Sequence, residues 1–231
     1  MRKGKMLITV VLLLTVPLSM VQAQREAGSY SLGAYGGIGL PMGGEFFKDY
    51  FKMGTGFGGE FKFNFSERSS LGASFTYQPF KLNNDEFTDA LSLLFSELMA
   101  GTSVSIDGGN VNTNIISANF FQYFTPPDAS LSFYATAGGG YYSFSTSEAT
   151  IVVTLGGQTV FEDTNEGGDS ESGFGINGGL GLELLMGTKM YIFFEGKYHY
   201  TFIEQEGIEE LDIEAAKISF VTVMGGIRFI L

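Results

Sequence analysis

The chain has 231 residues with 25 acidic against 13 basic side chains, and it contains neither cysteine nor tryptophan. The absence of cysteine excludes disulfides and thiolate chemistry, and the acidic balance argues against nucleic acid as a partner, because nucleic-acid binding needs a basic surface. Glycine (33 residues) and Phe plus Tyr (23 and 11) are abundant together, which argues against disorder because disordered chains are poor in aromatic residues.

The first 23 residues have the pattern of a secretory signal. Three basic residues precede an apolar stretch over residues 7–16, and a small-residue cleavage site ends at Ala23. The sequence therefore predicts a signal peptide over residues 1–23 and one exported domain over residues 24–231. After the signal, no apolar run reaches the length of a spanning helix, so any passage through a membrane must use strands.

Eight later segments alternate apolar and polar residues with a period of two, over about the 9–11 residues of a tilted spanning strand. The clearest is 56–65, in which phenylalanines alternate with Glu60, Lys62 and Asn64. The parity of the fourth and fifth segments stays open, because both of their faces carry aromatic residues. In chain order the segments are 30–40, 56–65, 71–78, 114–124, 131–144, 174–184, 190–202 and 220–231.

The connections between these segments alternate strictly between short and long. Three short connections, 66–70, 125–130 and 186–189, alternate with four long ones, 41–55, 80–113, 145–173 and 203–216. Short periplasmic turns and long extracellular loops are typical of outer-membrane barrels. We predict an all-β fold, an eight-stranded antiparallel up-and-down transmembrane barrel in the outer membrane of a Gram-negative bacterium.

Two long loops carry patterns of their own. Residues 84–100 predict a short amphipathic helix with Asn84 as its cap, and residues 150–161 predict a hairpin that extends the fifth and sixth strands. The apolar helix face could pack on the barrel rim, lie in the lipid interface, or seat an apolar ligand or partner. That face consists of Phe87, Leu91, Leu94, Phe95 and Leu98.

The signal, the eight alternating strands, the short turns and the terminal strand resemble the small outer-membrane β-barrels of the OmpA-transmembrane and OmpX type. The terminal strand alternates Val221, Val223, Ile227 and Phe229 against Thr222 and Arg228. The resemblance implies assembly by the barrel-assembly machinery and contact with outer-membrane lipid and lipopolysaccharide. Two features depart from that type: interface girdles would use Tyr and Phe without Trp, and the last residue is Leu231.

Charged side chains on the polar face of several strands predict a charged lumen. An eight-stranded barrel is just wide enough for side chains to fill, so opposite charges at similar depth should pair. We expect these pairs to plug the lumen; the alternative is a charge-lined path for small ions, gated by the same pairs. The resemblance implies both plug and gate. The predicted lumen residues are Glu60, Lys62, Glu183, Glu195, Lys197, His199 and Arg228.

Other candidate sites have weaker patterns. His199 and Thr201 share a strand face, which resembles the His-x-Ser pair of lipid A deacylases, but a hydrogen-bonded wall residue is the favoured interpretation. Acidic runs in the last two long loops match no calcium-binding frame, so solvated charge is favoured over a divalent-cation site. Gly138–Gly140 is not followed by the Lys of a phosphate loop. We predict no catalytic residue, no metal and no cofactor.

The sequence therefore favours a structural and surface-interaction role for the barrel, with an unknown surface partner. A narrow pore for ions or small solutes is the alternative, and a lipid-modifying enzyme is the less favoured one.

Overall fold

The computed structural model describes residues 25–43, 45–98, 101–205 and 216–231. The predicted signal peptide lies outside these residues. The described part of the chain forms two helices and twelve strands. In chain order these are β1 (Tyr30–Gly43), α1 (Glu45–Tyr50), β2 (Phe51–Lys52), β3 (Gly54–Asn64), β4 (Ser69–Leu82), α2 (Asn84–Leu98), β5 (Thr102–Gly108), β6 (Val111–Tyr123), β7 (Leu131–Thr146), β8 (Ala149–Leu155), β9 (Gln158–Asn165), β10 (Ser170–Met186), β11 (Met190–Gln205) and β12 (Ala216–Ile230).

Eight of these strands close into an antiparallel barrel, which confirms the predicted fold class. Their order is β4-β3-β1-β12-β11-β10-β7-β6, and β6 pairs again with β4. The last strand, β12, pairs with β1 on one side and with β11 on the other. Arg228 on β12 therefore lies opposite Gly33 of β1 and opposite Tyr191 of β11. Closure leaves every barrel strand paired on both sides, so no strand edge is left open.

Side chains alternate between an apolar outside and a more polar inside along each barrel strand. On β3, Phe57 and Phe61 are exposed on the outside while Glu60 and Lys62 are buried inside. The apolar exterior is what a barrel wall facing lipid requires. Among the outward residues that the structure describes are Leu32, Leu71, Phe75, Ile116, Phe133, Tyr141, Phe174, Leu180, Phe194, Phe202, Val223, Ile227 and Phe229.

The parity of the two ambiguous strands is decided by their register with neighbouring strands. On β6, Ile116 and Phe120 face outward and Phe121 is buried inside; on β7, Phe133 is outside and Tyr134 inside. Phe121 lies opposite Ser70 of β4, which is itself buried. Because aromatic residues occupy both faces of β6 and β7, their alternation does not tell which face is turned toward the lumen. Only the pairing with neighbouring strands decides this.

The barrel has one end with short turns and one end with long connections, as predicted. Two of the long connections hold more structure than the sequence analysis placed there. The loop after β1 contains α1 and β2, and the loop after β4 contains β5 as well as the predicted helix. β2 pairs with the end of β4 that leads into the long loop, with Phe51 opposite Leu82. This long-loop end of the barrel is called the upper end. α1 and β2 therefore lie against the long-loop end of the barrel wall.

The predicted hairpin forms, and it lies where it was predicted, directly beyond the ends of β7 and β10. β8 and β9 make the hairpin, and β8 pairs along its length with β5 to give a separate three-stranded sheet, β5-β8-β9. The first pair of the hairpin, Ala149 opposite Asn165, follows closely on the last β7–β10 pair, Ser145 opposite Ser170, so the hairpin extends these two barrel strands after a short irregular step. β5, a strand missed in the sequence, adds a third strand to this extension: it pairs with β8 over seven residues, in the same register in which β6 pairs with β7.

The predicted loop helix forms as α2, and it packs on this second sheet and on α1. The Ser92 hydroxyl oxygen of α2 accepts a hydrogen bond from the Val104 backbone N–H of β5 (3.2 Å). Phe87 meets Phe46 and Tyr50 of α1, with ring centroids 5.5 and 5.1 Å apart. Of the predicted apolar helix face, the structure describes the side chains of Phe87 and Leu91, which are both half-buried. The side chains of Leu94, Phe95 and Leu98 lie outside what the structure describes.

The N-cap of α2 lies one residue earlier than predicted. Asn84 is the first helical residue, and the Asn83 carbonyl accepts a hydrogen bond from the Phe87 N–H (3.0 Å) while the Asn83 amide donates to Glu86. The predicted cap at Asn84 is therefore wrong by one position: Asn83 occupies the N-cap position, and its side-chain amide contacts Glu86 in the first turn. In the part of the chain that the structure describes, neither helix has the length and apolarity needed to cross a membrane.

Candidate functional site

The lower part of the barrel interior, near the short turns, holds a cluster of ion pairs centred on Arg228. The Arg228 side chain is 2% exposed, and its Nε donates a hydrogen bond to Oε1 of Glu60 (2.8 Å). Its two terminal nitrogens donate to Glu60 and to Glu183. One guanidinium of β12 thus joins a carboxylate of β3 to a carboxylate of β10 across the lumen. All three residues were predicted to lie in the lumen, and the structure brings them together.

Arg25 enters the same cluster from outside the barrel strands. It precedes β1, and its guanidinium donates a hydrogen bond to Oε1 of Glu183 (3.1 Å). The guanidinium also lies 3.7 Å from the ring centroid of Tyr123 and donates to the Pro126 carbonyl (3.3 Å). Arg25 was not among the predicted lumen residues, because the segment that contains it has no strand pattern. The basic charge next to the first strand was the available signal, but only the closed barrel places it beside the 125–130 turn.

Lys62 is joined to the cluster through an aromatic side chain. It is 1% exposed, and its Nζ donates to the Tyr123 hydroxyl (2.9 Å), which in turn donates to Oε2 of Glu183 (3.2 Å). The Lys62 ammonium also lies 3.9 Å from the ring centroid of Phe121. A buried cation held by one hydroxyl and one ring face is stabilised without a direct carboxylate contact. Tyr123 and Phe121 were not among the predicted site residues.

The space left inside this cluster is small. A cavity of about 10 Å³ remains between the charged residues and Tyr123 and Tyr191, which is close to the minimum of about 10–15 Å³ that a single water needs. The Tyr134 ring occupies the space beside Gly181, where an added Cβ would collide with it. Absence of a side chain at Gly181 lets this tyrosine ring lie across the lumen.

The middle of the lumen holds a second charge pair. Lys197 Nζ lies 2.7 Å from Oε1 of Glu195, two residues away on the same face of β11. The other Glu195 oxygen, the Tyr134 hydroxyl and the Thr136 hydroxyl are buried, and they have no hydrogen-bond partner among the described residues. The middle of the lumen is therefore polar, and fewer of its buried polar groups are hydrogen-bonded than in the Arg228 cluster below it.

His199 lies inside the barrel with both ring nitrogens in contact with hydroxyl groups. Nδ1 is 3.0 Å from the Tyr142 hydroxyl and Nε2 is 3.1 Å from the Thr222 hydroxyl. The ring stacks on Phe220 with centroids 4.6 Å apart. The Thr201 hydroxyl donates to the Ile218 carbonyl (3.0 Å). The two members of the hypothetical lipid-modifying pair thus face the lumen, and each contacts groups other than its proposed partner.

A layer of aromatic side chains crosses the lumen at the long-loop end. Phe47 of α1 meets Phe80 edge to face (centroids 5.0 Å apart), and Phe80 meets Phe220 in the same way (5.4 Å). Tyr142 joins the layer through Phe220 (6.3 Å). Phe47, Phe80 and Phe220 are all buried. This layer was not predicted, because Phe47 reaches the lumen from the loop over residues 41–55, for which the sequence indicated no helix.

A cavity of about 300 Å³ lies on the outer side of this aromatic layer. Its walls come from α1, from β2, from the long-loop ends of four barrel strands and from the segment just before β10. Most of its lining is apolar, and two carboxylates stand among the lining residues. The lining residues are Phe47, Phe51, Val111, Phe144, Thr146, Asp169, Glu171 and Ile218.

The acidic loop residues are exposed wherever the structure describes their side chains. On β9 and after it, Glu162, Asp163 and Glu166 are solvent-exposed, as are Asp169 and Glu171 at the start of β10. The other acidic run, in the last long loop, lies at residues whose side chains are outside the description. Within the described residues, no group of three or more acidic, His or Cys side chains is placed to hold a metal ion.

Comparison with known proteins gives no match in sequence and clear matches in fold. No protein-family model and no curated protein matches the chain. Neisserial surface protein A is 11% identical, with a TM-score of 0.52 over 87% of this chain and 96% of that one. OprG from Pseudomonas aeruginosa is 11% identical, with a TM-score of 0.53 over 91% and 99% of the two chains.

A major outer membrane protein from Thermus thermophilus is similar to the same degree. It is 12% identical, with a TM-score of 0.51 over 89% of this chain and 100% of that one. At such identities the likeness concerns the fold. The closed eight-stranded barrel, its apolar exterior and these three structures together give the conclusion that this chain has the fold of the small outer-membrane β-barrels.

Proposed function

We propose that this protein is an integral outer-membrane barrel with a structural and surface-interaction role, whose lumen is plugged by paired charges. The cluster of Arg228, Glu60 and Glu183 is the observation that carries the plug. Charges of opposite sign, buried and hydrogen-bonded to each other, are costly to separate. An ion crossing the lumen would have to displace Arg228 from two carboxylates on opposite walls.

The upper aromatic layer supports the same proposal from a different part of the molecule. Phe47, Phe80 and Phe220 are in ring contact across the barrel end. A polar solute passing this layer would lose its hydration without gaining hydrogen bonds. Two closures of different chemistry, one ionic and one apolar, therefore lie in series along the barrel axis.

The outward faces of the barrel support a place in the outer membrane. Apolar side chains such as Phe57, Leu180 and Phe194 are exposed on the outside, and only lipid or detergent would cover so large an apolar belt. Cleavage of the predicted signal peptide after Ala23 belongs to this proposal. The long-loop end would then face outward and display α2, the β5-β8-β9 sheet and the exposed acidic residues to a surface partner.

The experiment that tests the proposal is a conductance measurement. The mature chain, residues 24–231, is refolded in detergent, its strand content is checked by circular dichroism, and single-channel currents are recorded in a planar bilayer. Folded protein should insert and stay silent. Discrete openings from the wild-type protein at moderate voltage would overturn the plug. Outer-membrane fractionation of the expressed full chain tests the location separately.

A narrow ion path is the second candidate function, and one observation favours it. The middle layer contains buried polar oxygens of Glu195, Tyr134 and Thr136 that lack a protein partner among the described residues. Such oxygens are suited to contact water or a small cation between the two closures. In the same recordings, openings that change their cation selectivity in Glu195→Gln would favour this function over the plug.

A further inference from the structure

We propose that the cavity above the aromatic layer binds an amphiphilic organic cation, with the apolar part inserted among the phenylalanines and the cationic head at the rim. The cavity measures about 300 Å³, the lower end of the range of about 300–1,000 Å³ that small-molecule sites occupy. This site goes beyond the structural role proposed above, because it assigns a ligand class to the long-loop end.

The floor and walls of the cavity select an apolar body. Phe47, Phe51 and Phe144 supply rings, and Val111 and Ile218 supply aliphatic surface. Phe47 and Phe51 hold each other in place with ring centroids 5.3 Å apart. Insertion of an alkyl or aryl group here removes apolar surface from water on both partners, which is the general driving force for occupying such a site.

The rim selects a positive charge. Glu171 lies opposite Phe144 in the β7–β10 ladder, and it shares its inward parity with Gly173 and Gly175 along β10. The carbonyl of Asp169 accepts a hydrogen bond from the Thr146 backbone N–H (3.0 Å), which fixes that segment at the same corner of the cavity. Among the described residues that line the cavity there is no basic side chain.

The exposure of the two carboxylates decides which end of the ligand is inserted. Asp169 and Glu171 remain solvated at the mouth, so a cationic head there keeps much of its water while its charge is attracted. Placing the head at the bottom would desolvate it on the Phe47 layer. An anionic head would be repelled, and a ligand without an apolar body would leave the phenylalanine walls empty.

The aromatic layer makes this a binding site and not an entrance to the lumen. Phe47 both lines the cavity and contacts Phe80, which closes the lumen beneath it. A bound ligand therefore stops at this layer. The proposal is consequently independent of whether the lower charges conduct.

The test uses the mature chain in lipid nanodiscs, titrated with hexyltrimethylammonium in a calorimeter, with empty nanodiscs as the blank. Tetramethylammonium tests the head alone, and hexanoate tests the opposite charge on the same alkyl chain. We expect saturable one-site binding of hexyltrimethylammonium, with tetramethylammonium and hexanoate at least tenfold weaker. No saturable binding above the blank, or equal binding of hexanoate, would overturn the site.

Matched variants separate the site from the general acidity of the loops. Asp169→Asn with Glu171→Gln should weaken binding at least fivefold, because it removes both rim charges. Glu162→Gln with Asp163→Asn removes the same charge from β9, outside the cavity, and should change affinity less than twofold. Equal loss in the two double variants would mean that only the long-range field attracts the cation, and the proposed site would be wrong. Val111→Phe, which fills the cavity, should abolish binding while circular dichroism stays unchanged.

Discussion

Nε of Arg228 donates a hydrogen bond of 2.8 Å to Oε1 of Glu60, although the two residues are 168 positions apart in the chain. The contact exists because β12 and β3 both pair with β1, which places the two side chains over the same Gly33. A Cβ at Gly33 would come within 3.2 Å of the Glu60 side chain. The ion pair therefore depends on barrel closure and on a small residue between its partners.

Arg228→Ala should strongly destabilise the barrel. The substitution leaves Glu60 buried without its partner and leaves Glu183 with only Arg25 and Tyr123. Breaking a buried pair by removal of one member costs about 3–5 kcal/mol. Urea unfolding of the refolded protein in lipid vesicles measures this. A change below about 1 kcal/mol would contradict the account of Arg228 as the centre of the cluster.

Arg25→Ala should cost less than Arg228→Ala, which makes it the matched comparison within the cluster. Glu183 keeps its contact with Arg228 when Arg25 is removed. We expect a loss of about 1.5–3 kcal/mol, typical of one hydrogen bond to a charged group. If the order of the two variants were reversed in the same unfolding assay, the cluster would be centred on Glu183 and the N-terminal segment.

Conductance should require the opening of both closures. Phe47→Ala removes a ring from the upper layer, and Arg228→Ala opens the lower one. Because the two proposed closures would lie in series, each single variant should stay silent in a planar bilayer, while the double variant should show discrete openings. Openings in Arg228→Ala alone would mean that the aromatic layer does not block ions. Strand content measured by circular dichroism controls for misfolding.

Gly181→Ala should destabilise the barrel, and Gly196→Ala should not. An added Cβ at Gly181 meets the Tyr134 ring, whereas nothing lies within 4 Å of an added Cβ at Gly196 on the neighbouring strand. Forcing a methyl group into a packed interior costs about 1–3 kcal/mol. The difference between the two variants in unfolding free energy is the measurement. Equal effects would show that strand propensity, and not lumen packing, governs both sites.

His199→Ala should reduce stability without affecting any lipid chemistry. The substitution removes the ring that contacts the Tyr142 and Thr222 hydroxyls and stacks on Phe220. Leaving buried polar groups unsatisfied costs about 1–3 kcal/mol. Incubation of wild-type protein with lipid A should release no acyl chains. Release by the wild type that is lost in folded His199→Ala would instead establish the enzyme hypothesis.

The sequence by itself determined the barrel, because a period of two cannot be shifted by one residue without turning every side chain to the wrong face. It therefore predicted the strands, the short and long ends, and the inward direction of Glu60, Lys62, Glu183, Glu195 and Arg228. On β6 and β7, aromatic residues occupy both faces, so the alternation does not tell which side chains face the lumen. There, only the register with the neighbouring strands decides it.

Only the tertiary structure decided which inward residues meet. Closure of the barrel brings Arg228, Glu60 and Glu183 together from three strands, and it places Arg25 beside them from a segment without strand pattern. Likewise, Phe47 of α1 meets Phe80 of β4 only because the loop after β1 folds back onto the long-loop end of the barrel. Contacts between residues so distant in the chain depend on closure of the barrel and on packing of its loops. A local sequence period contains no information about either.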